Sequence, residues 1–402
     1  MKISMKNNLL HKQFFAFISC LTFFFLHIFC IPVYAGRESS TAGPELSAPS
    51  AVLMEAETGQ LIYEKDKDTR RSPASVTKIM TLILTFDHLH NGNISLTDPV
   101  TTSAHAKSMG GSQVFLEEGE IQTVETLIKC IVIASGNDAS VAMAEFISGT
   151  EEDFVNQMNQ RASGLGMKNT HFVDCCGLTD SDEHYTTAND IALMSRELIT
   201  KYPEIFNYSS IWMENISHET RQGTKEFGLT NTNRLIRTYP GCKGLKTGST
   251  SKAGFCLSAV AERDGMDLIS VVMAAPDYKA RLKDAAALLD YGFSRCSLYE
   301  DKDPEKLPSV PVKQGIQKTA SIRYGEKFRY LSTDGNKITE VDKKYLLPDS
   351  VKAPVKKGNK AGEAVYSYGG KELGRVPLLY SDSVRALKYM DCLKDVASAF
   401  WC

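Results

Sequence analysis

Three short groups of polar residues in this 402-residue chain combine residue types and spacings that suit acyl transfer. They are Ser75-Val-Thr-Lys78, Ser135-Gly-Asn137 and Lys246-Thr-Gly248. A serine hydroxyl is a weak nucleophile until a neighbouring base takes its proton, and a lysine can be that base if burial or a second cation lowers its pKa. Residues three apart on a helix share one face. We therefore predict that Ser75 is a nucleophile and Lys78 its base, with Lys246 as the second cation.

The Ser135-Gly-Asn137 group lies between two apolar segments, 124–134 and 139–147, whose patterns predict buried helices. A loop between two buried helices is held rigidly, which suits side chains that must be positioned for catalysis. We predict that Ser135 relays a proton to a leaving nitrogen and that the Asn137 amide binds a substrate amide. The alternative for Asn137-Asp138 is a helix N-cap with no chemical role.

The Lys246-Thr-Gly248 group precedes two strand-like segments, 253–261 and 267–274, which Asp264-Gly265 joins in a pattern typical of a β-hairpin. We therefore expect this group at the edge of a sheet, where a strand can pair with an extended peptide. Gly248 would permit a close approach of the two backbones. Lys246 could hold a carboxylate, and Thr247 lies between the two on the same strand.

The elements around these groups predict an α+β fold. A turn at Glu57-Thr-Gly59 separates two strand-like segments near residues 51–56 and 60–63, and helical spacing follows from Pro73 to Asn91. A further helix is predicted over 279–291, with Gly292 as its end. Because the strands lie at both ends of the segment and the helices in the middle, one mixed or antiparallel sheet should form from both ends.

Composition and charge exclude several classes of protein. Hydrophobic residues make up 43% and charged residues 23% of the chain, which is ordinary for a globular protein and excludes collagen, disorder and a polytopic membrane protein. The formal net charge of -2 makes nucleic acid an improbable partner. The sequence has no C-x-x-C pair and no H-E-x-x-H motif, so we expect no metal and no cofactor. Cysteine pairing stays open, between a few disulfides and free thiols.

The first 35 residues have the pattern of a secretory signal peptide: a lysine-bearing start, an apolar run from Phe14 to Ile31, and Val33-Tyr-Ala35 as a cleavage site. An uncleaved N-terminal anchor is the alternative, since the apolar run is close to the minimum span of a bilayer. With either reading we expect export to the extracytoplasmic face of the cell membrane or to the cell wall.

Composition also divides the rest of the chain. We expect a catalytic domain over 47–298, a charged, proline-containing linker after it, and a small β-rich domain over 308–380. Residues 382–402 have the spacing of an amphipathic helix, whose apolar positions run from Val384 to Phe400. This helix would either lie in the plane of a membrane surface or pack on the β-rich domain.

Taken together and in this order, the three groups resemble the motifs of the penicillin-recognising serine enzymes. The sequence is most similar to the D-alanyl-D-alanine carboxypeptidases, the low-molecular-mass penicillin-binding proteins of serine peptidase family S11. Further similar stretches are Gly177-Leu178, His184-Tyr-Thr-Thr-Ala188, Asn231-Thr-Asn233 and Arg263-Asp-Gly-Met266. The resemblance implies a transpeptidase/β-lactamase-like domain, followed by the small all-β domain and a C-terminal amphipathic helix.

The resemblance also implies a substrate and roles for the site residues. The substrate would be a peptidoglycan stem pentapeptide, and β-lactam antibiotics would bind covalently as inhibitors. Ser75, Lys78 and Ser135 would be catalytic, and Asn137, Lys246, Thr247, Gly248 and Ser249 would bind substrate. The backbone N–H groups of Ser75 and Ser249 would form the oxyanion hole. Some relatives carry His where this chain has Ser249, so this position departs from their pattern.

Two other functions remain open on the residues. A secreted serine β-lactamase would need no second domain and usually a dedicated glutamate for deacylation, whereas no acidic residue in the 179–183 loop can be assigned that role. A non-catalytic wall-binding relative would not need the intact Ser75 and Lys78. Brief treatment with penicillin distinguishes the three, because the carboxypeptidase should keep a long-lived adduct, the β-lactamase should release it and the binding protein should form none.

Overall fold

A computed structural model describes residues 43–220, 223–301, 307–335, 337–338 and 340–393. The predicted signal peptide, residues 1–35, lies outside the described residues. The described chain is an α+β domain followed by a smaller all-β region, as the sequence predicts. None of its described helices has the length and apolar character needed to cross a bilayer.

The helices, in chain order, are α1 Lys78–His90, α2 Ala104–Ser108, α3 Val124–Val132, α4 Asn137–Ser148, α5 Glu151–Gly164, α6 Ala188–Lys201, α7 Phe206–Ser209, α8 Leu235–Thr238 and α9 Tyr278–Arg295. Short 3-10 turns cover Ala74–Thr77 and Pro203–Ile205. The strands are β1 Ser50–Glu55, β2 Leu61–Lys65, β3 Pro99–Thr101, β4 Ile121–Thr123, β5 Met213–Thr220, β6 Gly223–Thr230, β7 Cys242–Thr250, β8 Gly254–Arg263, β9 Met266–Ala275, β10 Ser297–Glu300, β11 Val310–Lys313, β12 Thr319–Ala320, β13 Ile322–Tyr324, β14 Arg329–Ser332, β15 Asp342–Leu346, β16 Val351–Lys352, β17 Lys360–Tyr368 and β18 Lys371–Tyr380.

A five-stranded antiparallel sheet organises the first domain, with the strand order β2-β1-β9-β8-β7. Successive side chains of a strand point to opposite faces, so Val52 and Met54 of β1 enter one core and Ala51 and Leu53 enter the other. The sheet is built from both ends of the domain, which confirms that prediction. Strand β7, which carries Lys246, is an edge strand.

Helix α9 packs on one face of the sheet, against β8 and β9. The prediction that Gly292 ends this helix is wrong, because the helix continues to Arg295. Gly292 is instead buried at a close approach, where an added Cβ atom would lie 2.6 Å from a Leu268 methyl carbon and 2.7 Å from a Leu53 methyl carbon. The glycine therefore serves helix–sheet packing and not helix termination.

The other face of the sheet is covered by the helical middle of the chain. Helix α6 packs on β1 and β9, and α1 packs on α6, α4 and α5. Helix α3 ends at Val132, slightly before its predicted end, and α4 begins at Asn137, two residues before its predicted start. The sequence analysis assigned neither α5 and α6 nor the β5–β6 hairpin.

The all-β region has a hydrophobic core of its own. A four-stranded sheet with the order β13-β18-β17-β15 is accompanied by the three-stranded sheet β12-β11-β16, and β14 pairs with β10 of the preceding segment. The core side chains come from residues 310–384 and include the stacked rings of Phe328 and Tyr366, whose centroids are 3.8 Å apart.

The predicted C-terminal helix does not begin at residue 382. Residues 384–387 are extended and belong to the β-rich region: Val384 pairs with Val355, Ala386 pairs with Gly315, and only 1% of the Val384 side chain is exposed. The apolar residue that started the helical pattern is therefore a core residue of the β-rich region. Residues 389–393 are helical, and the rest of the predicted helix lies outside the described residues.

Candidate active site

Ser75 lies in the 3-10 turn that leads into α1, and its side chain is half-buried. The preceding Ala74 has a φ of +48°, which is costly for a residue with a side chain. Gly177 of a neighbouring loop holds this turn from one side, since an added Cβ atom there would lie 1.9 Å from the Ala74 carbonyl oxygen. Thr77 Oγ1 donates to the same carbonyl at 2.8 Å. The serine is thus presented on a strained turn with little freedom to move.

Lys78, one helical turn after Ser75, is fully buried. Its Nζ donates to Ser75 Oγ at 3.0 Å, to Asn137 Oδ1 at 2.6 Å and to the Cys176 carbonyl oxygen at 2.7 Å. Burial lowers the pKa of Lys78, and neighbouring negative groups, Asp174 among them, offset part of this effect. The amine therefore becomes neutral at a lower pH than that of an exposed lysine. It lies within hydrogen-bond distance of the serine hydroxyl.

Ser135 and Lys246 form a second polar pair. Lys246 Nζ donates to Ser135 Oγ at 2.9 Å and to the Thr247 carbonyl oxygen at 3.0 Å, and 1% of the lysine is exposed. Ser135 has a φ of +63°, so its backbone is also strained. Burial, followed by repulsion from Lys78 and Arg281, holds the pKa of Lys246 well below its usual range.

The sequence analysis gave Lys246 the role of lowering the pKa of Lys78. Burial is the largest cause of the lowered pKa of both lysines, and repulsion between the two also contributes to the low pKa of Lys246. The role of Lys246 toward Lys78 stays a prediction. An anionic ligand beside Lys246 would favour its charged form again.

Asn137 and Asp138 are the first two residues of α4, and the N-cap is Gly136, so the N-cap alternative for Asn137-Asp138 is wrong. The Asn137 side chain instead joins two segments, because Oδ1 accepts from Lys78 and Nδ2 donates to the Gly110 carbonyl oxygen at 2.7 Å. The next residue, Asp138, accepts hydrogen bonds from backbone N–H groups in residues 114–116. These contacts fix the 110–116 loop beside the buried lysine.

Strand β7 passes directly beside the serine turn. An added Cβ atom at Gly248 would lie 2.8 Å from both the Pro73 carbonyl oxygen and the Ser75 backbone nitrogen, so only glycine allows this approach. The Thr247 hydroxyl donates to Thr232 Oγ1 at 2.7 Å. Ser249 is exposed on the same edge strand. The eight residues singled out from the sequence therefore lie close together, where the serine turn and the start of α4 meet the edge strand β7.

Arg281 is a site residue that the sequence analysis missed. It lies near the start of α9, 8% of it is exposed, and its Nη1 donates to the carbonyl oxygens of Gly248 and Cys256, each at 3.2 Å. Burial lowers its pKa, and its charge adds to that of Lys246 beside the edge strand. A lone arginine in a helix has no motif around it, so no sequence signal distinguishes it from a surface residue.

The loop that faces Lys78 was also missed. The Asp174 carboxylate accepts hydrogen bonds from the N–H groups of Cys176 at 2.8 Å, Thr179 at 2.8 Å and Gly177. Although burial acts to raise the pKa of Asp174, the charge of His184 and these backbone donors hold it below its usual range. This network orients the Cys176 carbonyl that accepts from Lys78.

Comparison with known proteins agrees with this geometry. The model of the D-alanyl-D-alanine carboxypeptidase family, Peptidase S11, matches residues 37–277. The chain belongs to this family. The C-terminal domain of penicillin-binding protein 5 matches residues 293–386, which confirms the expected fold class and the all-β second domain of these carboxypeptidases.

Individual members of the carboxypeptidase family cover most of the chain. D-alanyl-D-alanine carboxypeptidase DacF of Bacillus subtilis is 41% identical over 360 residues, which are 89% of this chain and 91% of that protein. DacA of Escherichia coli is 35% identical over 84% of this chain and 83% of its own length. The structure of penicillin-binding protein 5 from Haemophilus influenzae has a TM-score of 0.73 at 31% identity, and the match covers 85% of this chain and 98% of that one.

The described residues contain no group of three or more His, Cys, Asp or Glu side chains suited to a metal ion. The seven cysteines in the described ranges are free thiols, five of them buried. Of the two possibilities that the sequence left open, the structure has thiols at Cys175 and Cys176, and at Cys242 and Cys256.

Proposed function

We propose that this protein is a serine D-Ala-D-Ala carboxypeptidase that removes the terminal D-alanine from peptidoglycan stem pentapeptides through an acyl-enzyme on Ser75. The observation that carries the proposal is the fully buried Lys78, whose Nζ lies 3.0 Å from Ser75 Oγ. Membership of the carboxypeptidase family supports the reaction class, since its named relatives are D-alanyl-D-alanine carboxypeptidases.

In the first half of the reaction, Ser75 Oγ attacks the carbonyl carbon of the penultimate D-alanine while Lys78 takes the hydroxyl proton. The backbone N–H groups of Ser75 and Ser249 stabilise the oxyanion. The oxyanion contact comes from the backbone of Ser249. It therefore does not depend on the side chain at this position, where some relatives have histidine. The C–N bond then breaks, and the proton that Lys78 took passes through Ser135 to the leaving nitrogen, so that D-alanine departs as a neutral amine and Lys78 is neutral again.

In the second half, water attacks the acyl carbon, and Lys78 acts on the water as it acted on the hydroxyl. The ester bond to Ser75 breaks and the serine recovers its proton. Lys246, with Thr247, binds the terminal carboxylate of the substrate, and the nearby Arg281 adds a second positive charge at this end. The Asn137 amide and the edge of β7 at Gly248 hold the peptide backbone.

The proposal is tested by incubating the purified protein with a pentapeptide that ends in D-Ala-D-Ala and measuring free D-alanine. Brief treatment with penicillin, followed by mass spectrometry, should give a long-lived adduct on Ser75. The matched control is Ser75→Ala, which should fold normally and show neither result. Rapid loss of the adduct would indicate a β-lactamase instead, and absence of both D-alanine release and adduct would indicate a non-catalytic relative.

We further propose that the protein is exported and that its C-terminal segment associates with a membrane surface. Large apolar side chains are exposed at the described end of the chain: 77% of Tyr389, 61% of Met390 and 44% of Leu393. The charges at the predicted helix positions 383–401 are nearly balanced, so binding should be mainly hydrophobic and only weakly dependent on salt.

The proposed domains are a signal peptide over 1–35, a catalytic domain over 47–298 and a β-rich domain over 308–380. The separate core that residues 310–384 form supports the last of these. Because Val384 belongs to that core, we propose that the membrane segment begins after residue 388 and not at residue 382.

A further inference from the structure

His184 is a buried histidine beside the serine turn, and the proposed mechanism gives it no role. It lies in the loop before α6, with only 1% of the residue exposed, and its ring packs against the Phe172 ring with 5.8 Å between the centroids. Both ring nitrogens have partners, because Nε2 lies 2.8 Å from Thr77 Oγ1 and Nδ1 lies 3.1 Å from the Val173 backbone nitrogen. The ring therefore joins the serine turn to the loop that faces Lys78.

The partners of the His184 ring decide where its proton lies. The Val173 N–H group can only donate, so Nδ1 must be the acceptor and carries no proton. The Thr77 hydroxyl has one hydrogen, which it donates to the Ala74 carbonyl oxygen at 2.8 Å, so toward the ring it must accept. His184 is therefore the neutral tautomer with its proton on Nε2, and it donates to Thr77 Oγ1.

This chain of hydrogen bonds ends on the strained residue that precedes the nucleophile. Ala74 has a φ of +48°, and its carbonyl oxygen is the acceptor of the Thr77 hydroxyl. A strained backbone persists only when the surrounding structure holds it. The backbone at this point sets the position of Ser75 Oγ, which must lie within hydrogen-bond distance of Lys78 when the proton is transferred. Breaking the chain would release the turn although every catalytic group is still present.

The surroundings of His184 favour the neutral ring. Burial lowers its pKa, the negative charge of Asp174 opposes this effect, and the positive charges of His171 and Lys252 add to it. The 3-10 turn that contains Thr77 carries no charged residue. A second proton would have to enter at Nδ1, where the Val173 N–H group already points at the ring. Two donors would then face each other, and the hydrogen bond between the ring and the loop would be lost.

We propose that His184 is a positioning residue for Ser75: its neutral ring holds the strained serine turn through Thr77, and protonation of the ring releases the turn and slows acylation in acid. The inference rests on the proposed function, because it takes Ser75 as the nucleophile. In this role His184 touches no substrate atom and acts only on the backbone that carries the serine.

The test is the rate of acylation by a fluorescent penicillin, measured from about pH 4.5 to about pH 8. Because the pKa of His184 is lowered, the ring is neutral at neutral pH and gains its proton as the pH falls through that lowered value. Protonation of Lys78 by itself should slow acylation about tenfold for each pH unit. We expect an additional fall of about tenfold to a hundredfold in the wild type, which is the loss expected when a buried hydrogen bond is broken.

Two variants separate the hydrogen bond of His184 from its charge. His184→Gln keeps an N–H group that can donate to Thr77 Oγ1 but cannot gain a proton, so it should retain most of the rate at neutral pH and lose the additional fall in acid. His184→Phe keeps a ring beside Phe172 but has no donor. It should acylate about tenfold to a hundredfold more slowly at neutral pH, again without the additional fall.

Thr77→Val tests the middle of the chain. It removes the hydroxyl between the ring and the Ala74 carbonyl oxygen, so it should slow acylation about as much as His184→Phe does. The variant with both changes should lose no more than either alone, because both break the same chain of hydrogen bonds.

The matched control is His171→Gln. His171 is a neighbouring histidine that titrates as well, but its Nδ1 donates to the Glu183 carbonyl oxygen at 2.7 Å and not to the serine turn. This variant should keep both the neutral rate and the additional fall in acid. Thermal unfolding, measured for each variant at each pH, should show that the proteins are folded over the whole range.

Four outcomes would overturn the proposal while leaving the carboxypeptidase function intact. The wild type would show no additional fall in acid, or would show it only where the fold itself is lost. His184→Gln would show the same fall as the wild type, which would assign the titration to another group. His184→Phe would acylate as fast as the wild type, or the losses of His184→Phe and Thr77→Val would be additive. A wild type that forms no penicillin adduct at neutral pH would instead refute the proposed function.

Discussion

The hydrogen bond between Asn137 and Lys78 offers a direct test of the proposed base. Asn137 Oδ1 lies 2.6 Å from Lys78 Nζ, and both side chains are buried beside Ser75. Asn137→Asp replaces the amide nitrogen by an oxygen of nearly the same size. The resulting carboxylate places a negative charge beside the ammonium group of Lys78. Burial lowers the pKa of Lys78 in the wild type, and the new carboxylate should act in the opposite direction by favouring the charged form.

The size of the effect follows from the distance. An opposite charge within about 4–6 Å commonly changes a pKa by about 1 to 3 pH units. Below the pKa of a catalytic base, the fraction of neutral base falls tenfold for each pH unit. If neutral Lys78 takes the proton from Ser75, acylation of Asn137→Asp at neutral pH should therefore be slower by about tenfold to a thousandfold.

The assay is the rate of acylation by a fluorescent penicillin, measured from pH 6 to pH 11. In the wild type the rate should rise with pH as Lys78 loses its proton, and then level off. In Asn137→Asp the same rise should occur at higher pH, so that part of the lost rate is recovered in alkaline buffer. The control is Asn137→Ala, which removes the hydrogen bonds to Lys78 and Gly110 without adding charge and should not move the rise to higher pH. An equal loss at every pH in Asn137→Asp would refute Lys78 as the base.

Three further predictions concern the other parts of the molecule. Since Ser75 and Lys78 act as one unit, the double alanine variant should lose no more penicillin acylation than either single variant, and additive losses would show that they act separately. Lys246→Ala should reduce kcat/KM about tenfold to a hundredfold more for peptides with a free terminal carboxylate than for amidated ones, and equal losses would assign the lysine to stability. A chain without residues 1–35 should sediment with lipid vesicles, and ending it at Lys388 should abolish this binding while peptidase activity is kept. Ending it at Tyr380 should also lower Tm, because the buried Val384 is lost with about 1.5–3 kcal/mol of burial energy.

The nucleophile and its base were predictable from sequence because a short covalent spacing fixes their geometry. Ser75 and Lys78 are three residues apart at the start of a helix, so local structure alone brings their side chains together. The antiparallel sheet and the hairpin at Asp264-Gly265 were predictable for a similar reason, since period-2 alternation and turn residues are local signals.

The errors arose where tertiary packing gave a residue a second role. Gly292 reads as a helix end, but close packing against Leu53 and Leu268 requires a glycine inside the helix. Val384 begins a helical pattern, but it is used as a core residue of the β-rich region and pairs with Val355. In both cases the residue type fitted the local structure that was predicted, but a contact with residues distant in the sequence produced a different one.

Assembly of the cleft depends on two glycines that carry no chemistry. Gly177 contacts the serine turn at the Ala74 carbonyl oxygen, and Gly248 contacts it at the Ser75 nitrogen, so the turn is clamped between a loop and an edge strand. A Cβ atom at either position would displace the turn. The clamp holds the strained backbone of Ala74 and keeps the Ser75 N–H group at the edge of β7, where a peptide carbonyl would pair. The motif Lys246-Thr-Gly248 therefore needs a glycine because a larger residue would displace the turn that carries Ser75, although the two lie far apart in the sequence.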